Sequence, residues 1–298
     1  MSGAVYPACS IKRVRRTAAD IRVIKGAIYD ALRVGHPMTL RQVFYRLVAR
    51  RGIDKTEAEY DNTVGRLVKE MRLAGELPWH WVTDNTRGQR KPATYGSLES
   101  ALQATATFYR REIWDTQPCF VEVWLEKDAL SGVVFPVTAR WHVPLMVTRG
   151  YPSLSFMYES AAALRGLGRP VHVAYLGDWD PSGVDIPKNV ERRLREFATD
   201  IDLHFERLAV NPDQVDEYDL LTRPTKTTDS RARGFEGESV EVDAIEPVTL
   251  RGLVDGFIER YVDQAQLRHL RVAEESEREI IRSLPAYARQ LQREASQP

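Results

Sequence analysis

The stretch VHVAYLGDWDPSG at residues 171–183 decides the fold class of this chain. Its apolar run predicts a buried strand, which ends in two aspartates, Asp178 and Asp180, before Pro181 and Gly183 turn the chain. Residues two apart in a strand point to the same side, so the two carboxylates are predicted to converge on one hard cation. An isolated pair of this kind is more often a turn at a strand end, so the surrounding sequence has to decide.

Strand-like and helix-like stretches alternate after Pro118. This alternation predicts an α/β fold with a parallel sheet covered by helices on both faces and with ligands at the carboxyl ends of the strands. The predicted strands are 119–126, 143–147 and 171–176, and the predicted helices are 127–141, 153–167 and 187–198.

The residues that follow the three strands suit phosphoryl transfer. Glu126, Asp178 and Asp180 offer the carboxylate oxygens that Mg²⁺ prefers. Arg149 can hold a phosphate through its planar guanidinium, and Gly150 lets the backbone approach closely. Each of these residues alone is explained as well by a surface charge or a salt bridge, but together they predict a convergent site.

Composition limits the other possibilities. The chain has 298 residues, of which 43% are hydrophobic and 28% are charged, as in a globular protein of about two domains. No apolar run is long enough to span a bilayer and the N-terminus lacks a signal-peptide core, so we expect a cytoplasmic protein with no membrane partner. The sequence holds two cysteines, Cys9 and Cys119, so any metal should be bound by oxygen or histidine.

The charges are unevenly distributed although the net charge is zero. Residues 1–118 carry an excess of Lys and Arg, and the remainder carries an equal excess of Asp and Glu. A DNA-binding module joined to a cation-binding module has this distribution, and so does a chance segregation of charge.

Three helices are predicted near the N-terminus, at 18–34, 40–51 and 57–74, with Thr39 as the cap of the second. The segment LPWHWVTDNTR at 77–87 predicts a hairpin or wing. Together these elements indicate a winged helix that binds double-stranded DNA, and a plain three-helix bundle is the alternative. The basic residues expected to meet DNA phosphates are Arg66, Lys69, Arg72, Arg87, Arg90 and Lys91.

The predicted domains are a winged-helix domain at 1–97, a connecting helix or linker at 98–118, and an α/β domain with C-terminal helices at 119–298. The charged tail from Arg271 onward predicts a helix that is broken near Pro285.

Three motifs occur in an order that resembles a known family. LEKDA at 125–129, TRGYPS at 148–153 and GDWDPSGVDI at 177–186 are similar to the Toprim domain of topoisomerase VI A subunits and of their meiotic double-strand-break relatives. VEVDAIEPVTLRGLVDGFI at 240–258 resembles a later segment of the same family, so the likeness runs from about Thr39 to the end of this segment. The chain has no ATPase motif and is most like the stand-alone "mini-A" members.

The resemblance implies a winged-helix domain followed by a Rossmann-like Toprim domain. It matches RQVFY at 41–45 to the family's R-x-x-Y-Y motif, which makes Tyr45 the nucleophile that forms a 5′-phosphotyrosyl DNA link and Arg41 its phosphate-holding partner. It also implies that Glu126, Asp178 and Asp180 bind one or two Mg²⁺ ions, or Mn²⁺, with Glu126 alternatively acting as general acid and base.

Further implications concern DNA contacts and partners. Lys127, Arg149 and Gly150 are expected to contact DNA. A homodimer is expected to make the double-strand break, because in the family the tyrosine of one subunit meets the metal site of the other. ATP-driven strand passage would need a separate ATPase subunit.

Three alternatives remain at this point. A Toprim nuclease, as in plasmid-defence systems, would hydrolyse DNA with water and would not need Tyr45. A non-catalytic winged-helix DNA binder would leave the carboxylates unexplained. A phosphatase of the haloacid dehalogenase type also carries an Asp-x-Asp motif, but on its first strand, whereas here the motif follows the third.

Overall fold

The computed structural model describes residues 16–83, 92–225, 235 and 237–295, with side chains as far as residue 286. The predicted DNA contacts Arg87, Arg90 and Lys91 lie outside the described residues, as does the second half of the predicted wing.

The N-terminal part is helical, and capping residues set its helix starts. Helix α1 spans Ala18–Gly35 and α2 spans Leu40–Ala49. Each begins at a threonine, Thr17 or Thr39, that forms a capping box with the residue three positions later. The third predicted helix is a continuous segment made of α3 (Glu57–Glu59), a π-helical turn (Tyr60–Gly65) and α4 (Arg66–Leu73).

The region of the predicted wing forms no hairpin in its described part. Trp79–Trp81 form a short 3₁₀ turn, and Val82 makes a single parallel bridge to Met38. The winged-helix arrangement therefore stays a prediction. Helix α5 follows at Leu98–Phe108.

A four-stranded, wholly parallel sheet forms the centre of the α/β part, so the predicted sheet type is confirmed. The strand order is β2-β1-β3-β4. Strand β4 was not predicted from the sequence. The bounds are β1 Phe120–Leu125, β2 Leu145–Val147, β3 Val171–Leu176 and β4 Leu203–Ala209.

Helices cover both faces of the sheet, and the alternation of side chains along β1 shows how. Val123 packs with helices α6 (Ser131–Arg140) and α10 (Pro247–Glu259), whereas Trp124 packs on the other face with α7 (Leu154–Arg165) and α8 (Pro181–Phe197). The remaining elements are α9 (Pro212–Glu217), the antiparallel pair β5 (Thr222–Arg223) and β6 (Ser239–Val240), and α11 (Gln264–Ala295).

Segment 98–118 and the C-terminal helix pack against each other. Helix α5 lies on α11, and just beyond α5 the hydroxyl of Tyr109 donates a hydrogen bond to Glu277 at 2.7 Å. The predicted break at Pro285 is wrong, because α11 continues through this residue. A proline inside a helix removes one hydrogen bond and crowds the preceding turn, but here it does not end the helix.

Among the described residues, no helix has both the length and the apolar character needed to cross a bilayer.

Candidate functional site

The carboxyl ends of β1 and β3 bring Glu126 and Asp178 together. The two strands pair in parallel with Leu125 opposite Leu176, so the residues that follow them emerge side by side. The Oε2 atom of Glu126 accepts a hydrogen bond from the backbone N–H of Asp178 at 3.3 Å and lies 3.5 Å from the donating hydroxyl of Tyr175. Two of the three residues predicted to bind metal therefore lie side by side at the predicted edge of the sheet, joined through the backbone N–H of Asp178.

Glu126 has an unusual protonation equilibrium for a carboxyl group. Burial, with the neighbouring charge of Asp178 adding to it, raises its pKa to about 7, although Lys127 acts in the opposite direction. A carboxyl group with this pKa exchanges a proton readily near neutral pH, as a general acid or base must.

Lys127 lies at the centre of a cluster of carboxylates, which we call the Lys127 cluster. Its Nζ atom is 3.0 Å from Asp178 Oδ1, 3.2 Å from Glu241 Oε2 and 2.8 Å from Asp243 Oδ2. Burial lowers the pKa of Lys127, but the charges of Asp243, Asp178 and Glu241 outweigh it, and the net shift is upward. The ammonium group is thus paired with carboxylates of its own chain, and its contact with DNA stays a prediction.

Asp180 caps helix α8. Its Oδ1 atom accepts a hydrogen bond from the backbone N–H of Gly183 at 2.7 Å, and its Oδ2 atom lies 3.6 Å from Arg223. Strand β3 ends at Leu176, so strand alternation does not aim Asp178 and Asp180 in one direction, and that reasoning was wrong. Asp178 instead turns toward Lys127 and the backbone N–H of Val242.

The glycine that ends the GDWDPSG motif permits this tight turn. A Cβ at Gly183 would overlap the backbone carbonyl of Asp178. Any larger residue would therefore force the two aspartates apart from their present positions.

The donor types of Glu126, Asp178 and Asp180 suit a hard divalent cation, although two of the carboxylates have other partners as placed here: Asp178 pairs with Lys127, and Asp180 caps helix α8. Glu126, Asp178 and Asp180 are carboxylates at one end of the sheet. Burial and the nearby carboxylate of Asp178 account for the raised pKa of Glu126. In the part of the chain that the structure describes, no group of three or more Asp, Glu, His or Cys side chains is placed to hold a metal ion.

Tyr45, the predicted nucleophile, is buried. Only 5% of it is exposed, its ring lies against Phe44, and the Nζ atom of Lys55 is 5.5 Å from the ring centroid. Burial raises the pKa of its hydroxyl, and Glu241 adds to this, while Arg41 and Lys127 act in the opposite direction. Tyr45 therefore lies within reach of the charges of the Lys127 cluster of its own chain.

Arg41 takes its ion-pair partner from the N-terminal helices, although its charge also acts on Glu241 of that cluster. It donates a hydrogen bond to Glu57 at 2.8 Å and lies over the ring of Tyr60, 4.1 Å from its centroid. The start of α2 is nevertheless attached to the cluster, because the Thr39 hydroxyl is 3.4 Å from Asp243 Oδ1.

The other residues predicted to contact DNA differ in the partners of their side chains. Arg66 pairs with Glu70 at 2.7 Å, and Lys69 is exposed without an ion pair to any described residue. Arg72 donates hydrogen bonds to the carbonyls of Trp79 and Val82, which fastens that segment to α4.

At the end of β2, Arg149 pairs with Asp128 at 2.8 Å, although 71% of its side chain is exposed. Gly150 follows it, and both residues have a positive φ, of 55° and 87°. This turn keeps Arg149 at the surface near the end of β1.

Four residues of the site were not assigned from sequence. Glu241 and Asp243 lie in segment 240–258, which resembles the family but in which neither residue was assigned a role. Arg207 donates hydrogen bonds to the carbonyls of Gly177 and Asp178, but its strand was missed. Arg223, the fourth, joins Asp180 to Glu241.

No model of a known protein family matches the chain, and no curated protein matches it. The functional interpretation therefore rests on the geometry of the site and on its motifs.

Proposed function

We propose that this chain is a Mg²⁺-dependent DNA-cleaving enzyme of the topoisomerase VI A type. The observation that supports it most is the meeting of Glu126 and Asp178 at the carboxyl edge of a parallel sheet, with Asp180 in the same turn. Parallel α/β sheets bind ligands at this edge, and carboxylates held there are typical of metal-assisted phosphoryl transfer.

Each residue of the site has a proposed role. Glu126, Asp178 and Asp180 would hold one or two Mg²⁺ ions, for which Mn²⁺ could substitute, and a bound ion would supply stabilisation of the charge on the phosphate and the leaving oxygen. In the alternative role Glu126 is not a metal ligand, and its carboxyl group, with a pKa of about 7, gives a proton to the leaving 3′-oxygen and takes it back on rejoining. Arg149 and Gly150 hold a neighbouring phosphate at the end of β2.

The nucleophile implied by the family resemblance is Tyr45. Its oxygen loses its proton to solvent and forms a bond to phosphorus as the bond to the 3′-oxygen breaks, and the 3′-oxygen takes up a proton, which leaves a 5′-phosphotyrosyl link and a free 3′-hydroxyl. A homodimer would cut both strands of the duplex, and a separate ATPase subunit would be needed for strand passage. Because Tyr45 is buried, helix α2 has to move before the hydroxyl reaches DNA.

The burial of Tyr45 favours a second candidate, hydrolysis by water. A tyrosine that is 5% exposed and whose hydroxyl has a raised pKa is a poor nucleophile as placed. A water molecule activated at the same carboxylates would cut DNA and leave no protein attached.

One experiment tests both candidates. Supercoiled plasmid is incubated with protein and Mg²⁺, the reaction is stopped with detergent, and the DNA is scored for breaks and for protein linked to 5′ ends. We expect cleavage by the wild-type protein and by the surface variant Asp213→Asn, and none by Asp178→Asn. If Asp178→Asn cleaves as the wild type does, the proposed site is wrong.

The variant Tyr45→Phe then distinguishes the two candidate nucleophiles, the tyrosine and water. Loss of cleavage and of linked protein in Tyr45→Phe, but not in the exposed control Tyr158→Phe, identifies the tyrosine. Cleavage that survives Tyr45→Phe without any linked protein identifies water.

A further inference from the structure

A cleft of about 540 Å³ lies between the N-terminal helices and the turn that follows β1. The start of α2, the π-helical turn, α4 and the segment 79–83 line it, and Ala129 closes it from the side of the sheet. We call it the α2–α4 cleft. Its volume falls in the range of about 300–1,000 Å³ that is typical of small-molecule sites.

The lining of the cleft is positively charged. Arg41, Lys69 and Arg72 contribute to it, and no aspartate or glutamate is among the described residues that line it. Lys69 has no ion pair within the described part of the chain, and Arg72 donates hydrogen bonds to the carbonyls of Trp79 and Val82. Arg41 pairs with Glu57, which is 72% exposed and therefore weakly held. The cleft thus favours an anion.

Two aromatic rings line the same space. Trp79 is 63% exposed, and the guanidinium of Arg72 lies 5.1 Å from its ring centroid. Tyr60 is paired in the same way with Arg41 at 4.1 Å. An exposed tryptophan beside cations offers a stacking surface for a planar base together with attraction for its phosphate.

The floor of the cleft contains an irregular helix. Tyr60 and Gly65, the two ends of the π-helical turn, both line it. Turns of this type are uncommon and occur frequently at functional sites.

We propose that the α2–α4 cleft binds a single unpaired nucleotide, with its base stacked on Trp79 and its phosphate held by Lys69 and Arg41. The base of a paired nucleotide is stacked inside the duplex, so the ligand is either a free nucleotide or an unpaired residue of a DNA strand. In the second case the proposal rests on the proposed function and names the part of the DNA that the N-terminal helices hold.

The binding of dAMP in metal-free buffer, followed by calorimetry, tests the proposal without any need for cleavage. We expect dAMP to bind more tightly than deoxyribose 5-phosphate or inorganic phosphate. Trp79→Ala and Lys69→Ala should each weaken dAMP binding by about fivefold or more, since a stacked base contributes about 1 kcal/mol at least. Matched changes at exposed residues outside the cleft, Phe108→Ala and Lys188→Ala, should have no effect.

A second arm identifies the source of the nucleotide. A labelled single-stranded oligonucleotide and a blunt, fully paired two-strand duplex are compared by fluorescence anisotropy. If Trp79→Ala weakens binding of the single strand but not of the duplex, the ligand is an unpaired residue of DNA. If it weakens only dAMP binding, the ligand is a free nucleotide.

The proposal is overturned if phosphate binds as tightly as dAMP, or if Trp79→Ala and Lys69→Ala bind dAMP as the wild type does. Both side chains are exposed, so the variants should fold, and a thermal unfolding curve checks this. A protein that binds dAMP but does not cut DNA would contradict only the proposed function.

Discussion

At the scale of single residues, Lys127 balances the charge of the site. Its ammonium group contacts three carboxylates, of Asp178, Glu241 and Asp243, which come from two separate segments of the chain. Asp243 is almost fully buried and the side chain of Lys127 is 25% exposed, so water can replace the lysine only in part. Removing one partner of such a group leaves buried charges uncompensated.

We therefore expect Lys127→Met to lower the free energy of unfolding by about 3 kcal/mol at pH 7. The loss should be smaller near pH 4, because burial raises the pKa of Asp178 and a protonated Asp178 leaves less negative charge uncompensated. Urea unfolding at both pH values measures this, with the exposed Lys188→Met as the control. An equal loss at both pH values would show that Lys127 contributes packing rather than charge.

Glu122 gives a pH-dependent prediction that is independent of the site. Burial raises its pKa to about 7 from 4.5, although the Trp124 indole donates a hydrogen bond to it at 2.8 Å. The folded state therefore binds this proton more tightly than the unfolded state. Its contribution to stability is fully present below pH 4.5 and is lost as the pH rises through about 7.

Glu122→Gln keeps an acceptor for Trp124 and removes the titration. Relative to the wild type, this variant should gain on the order of 3 kcal/mol between pH 5 and pH 8, and the exposed Glu259→Gln should gain nothing. Urea unfolding at the two pH values checks the difference. A variant whose stability followed that of the wild type across this range would show that Glu122 is ionised in the folded protein.

The chemical types of the site residues could be predicted from the sequence, but the contacts of their side chains could not. The types and order of Glu126, Asp178 and Asp180 follow from the sequence, because strand order places them at one edge. Which group each carboxylate faces does not follow, since it depends on Glu241 and Asp243, more than sixty positions away from Asp178. Contacts over such separations are set by tertiary packing, which local patterns do not encode.

At the scale of elements, helix α2 links the two parts of the molecule through its cap. The Thr39 hydroxyl accepts a hydrogen bond from the backbone N–H of Gln42 at 3.1 Å and lies 3.4 Å from Asp243. One side chain thus both starts the helix and attaches it to the Lys127 cluster.

Thr39→Ala should lower the free energy of unfolding by about 1–2 kcal/mol, because both contacts are lost. Thr39→Ser keeps the hydroxyl and should recover most of this, as measured by urea unfolding. If serine destabilises as much as alanine, the threonine methyl group and not the cap is what matters.

Elements with a clear apolar period were easier to predict than an element whose period is interrupted. Helices α1 and α2 have apolar spacing and capping threonines, and both were found. Strand β4 was missed because His204, Glu206 and Arg207 interrupt its apolar pattern. It lies at the edge of the sheet, where charged side chains are tolerated because one side faces no neighbouring strand.

At the scale of the whole molecule, the N-terminal helices are docked on the α/β part. Arg251 of α10 donates hydrogen bonds to the carbonyls of Gly35 and Pro37, at 3.2 and 3.1 Å. Arg46 pairs with Glu246 at 3.1 Å, and Lys55 donates a hydrogen bond to the carbonyl of Thr222 at 2.6 Å. Tyr45 lies on one of the docked helices and is covered in this arrangement.

If Tyr45 is the nucleophile, weakening the docking should increase cleavage. Arg251→Ala removes two hydrogen bonds at the end of α1, each worth about 1 kcal/mol or more because the donor is charged. We expect amide hydrogen exchange across residues 36–49 to become faster and the amount of protein linked to DNA 5′ ends to rise several-fold. Arg260→Ala, at an exposed pair with Glu206, should change neither quantity. Faster exchange without more linked protein would mean that undocking does not limit attack by Tyr45, and it would favour water as the nucleophile.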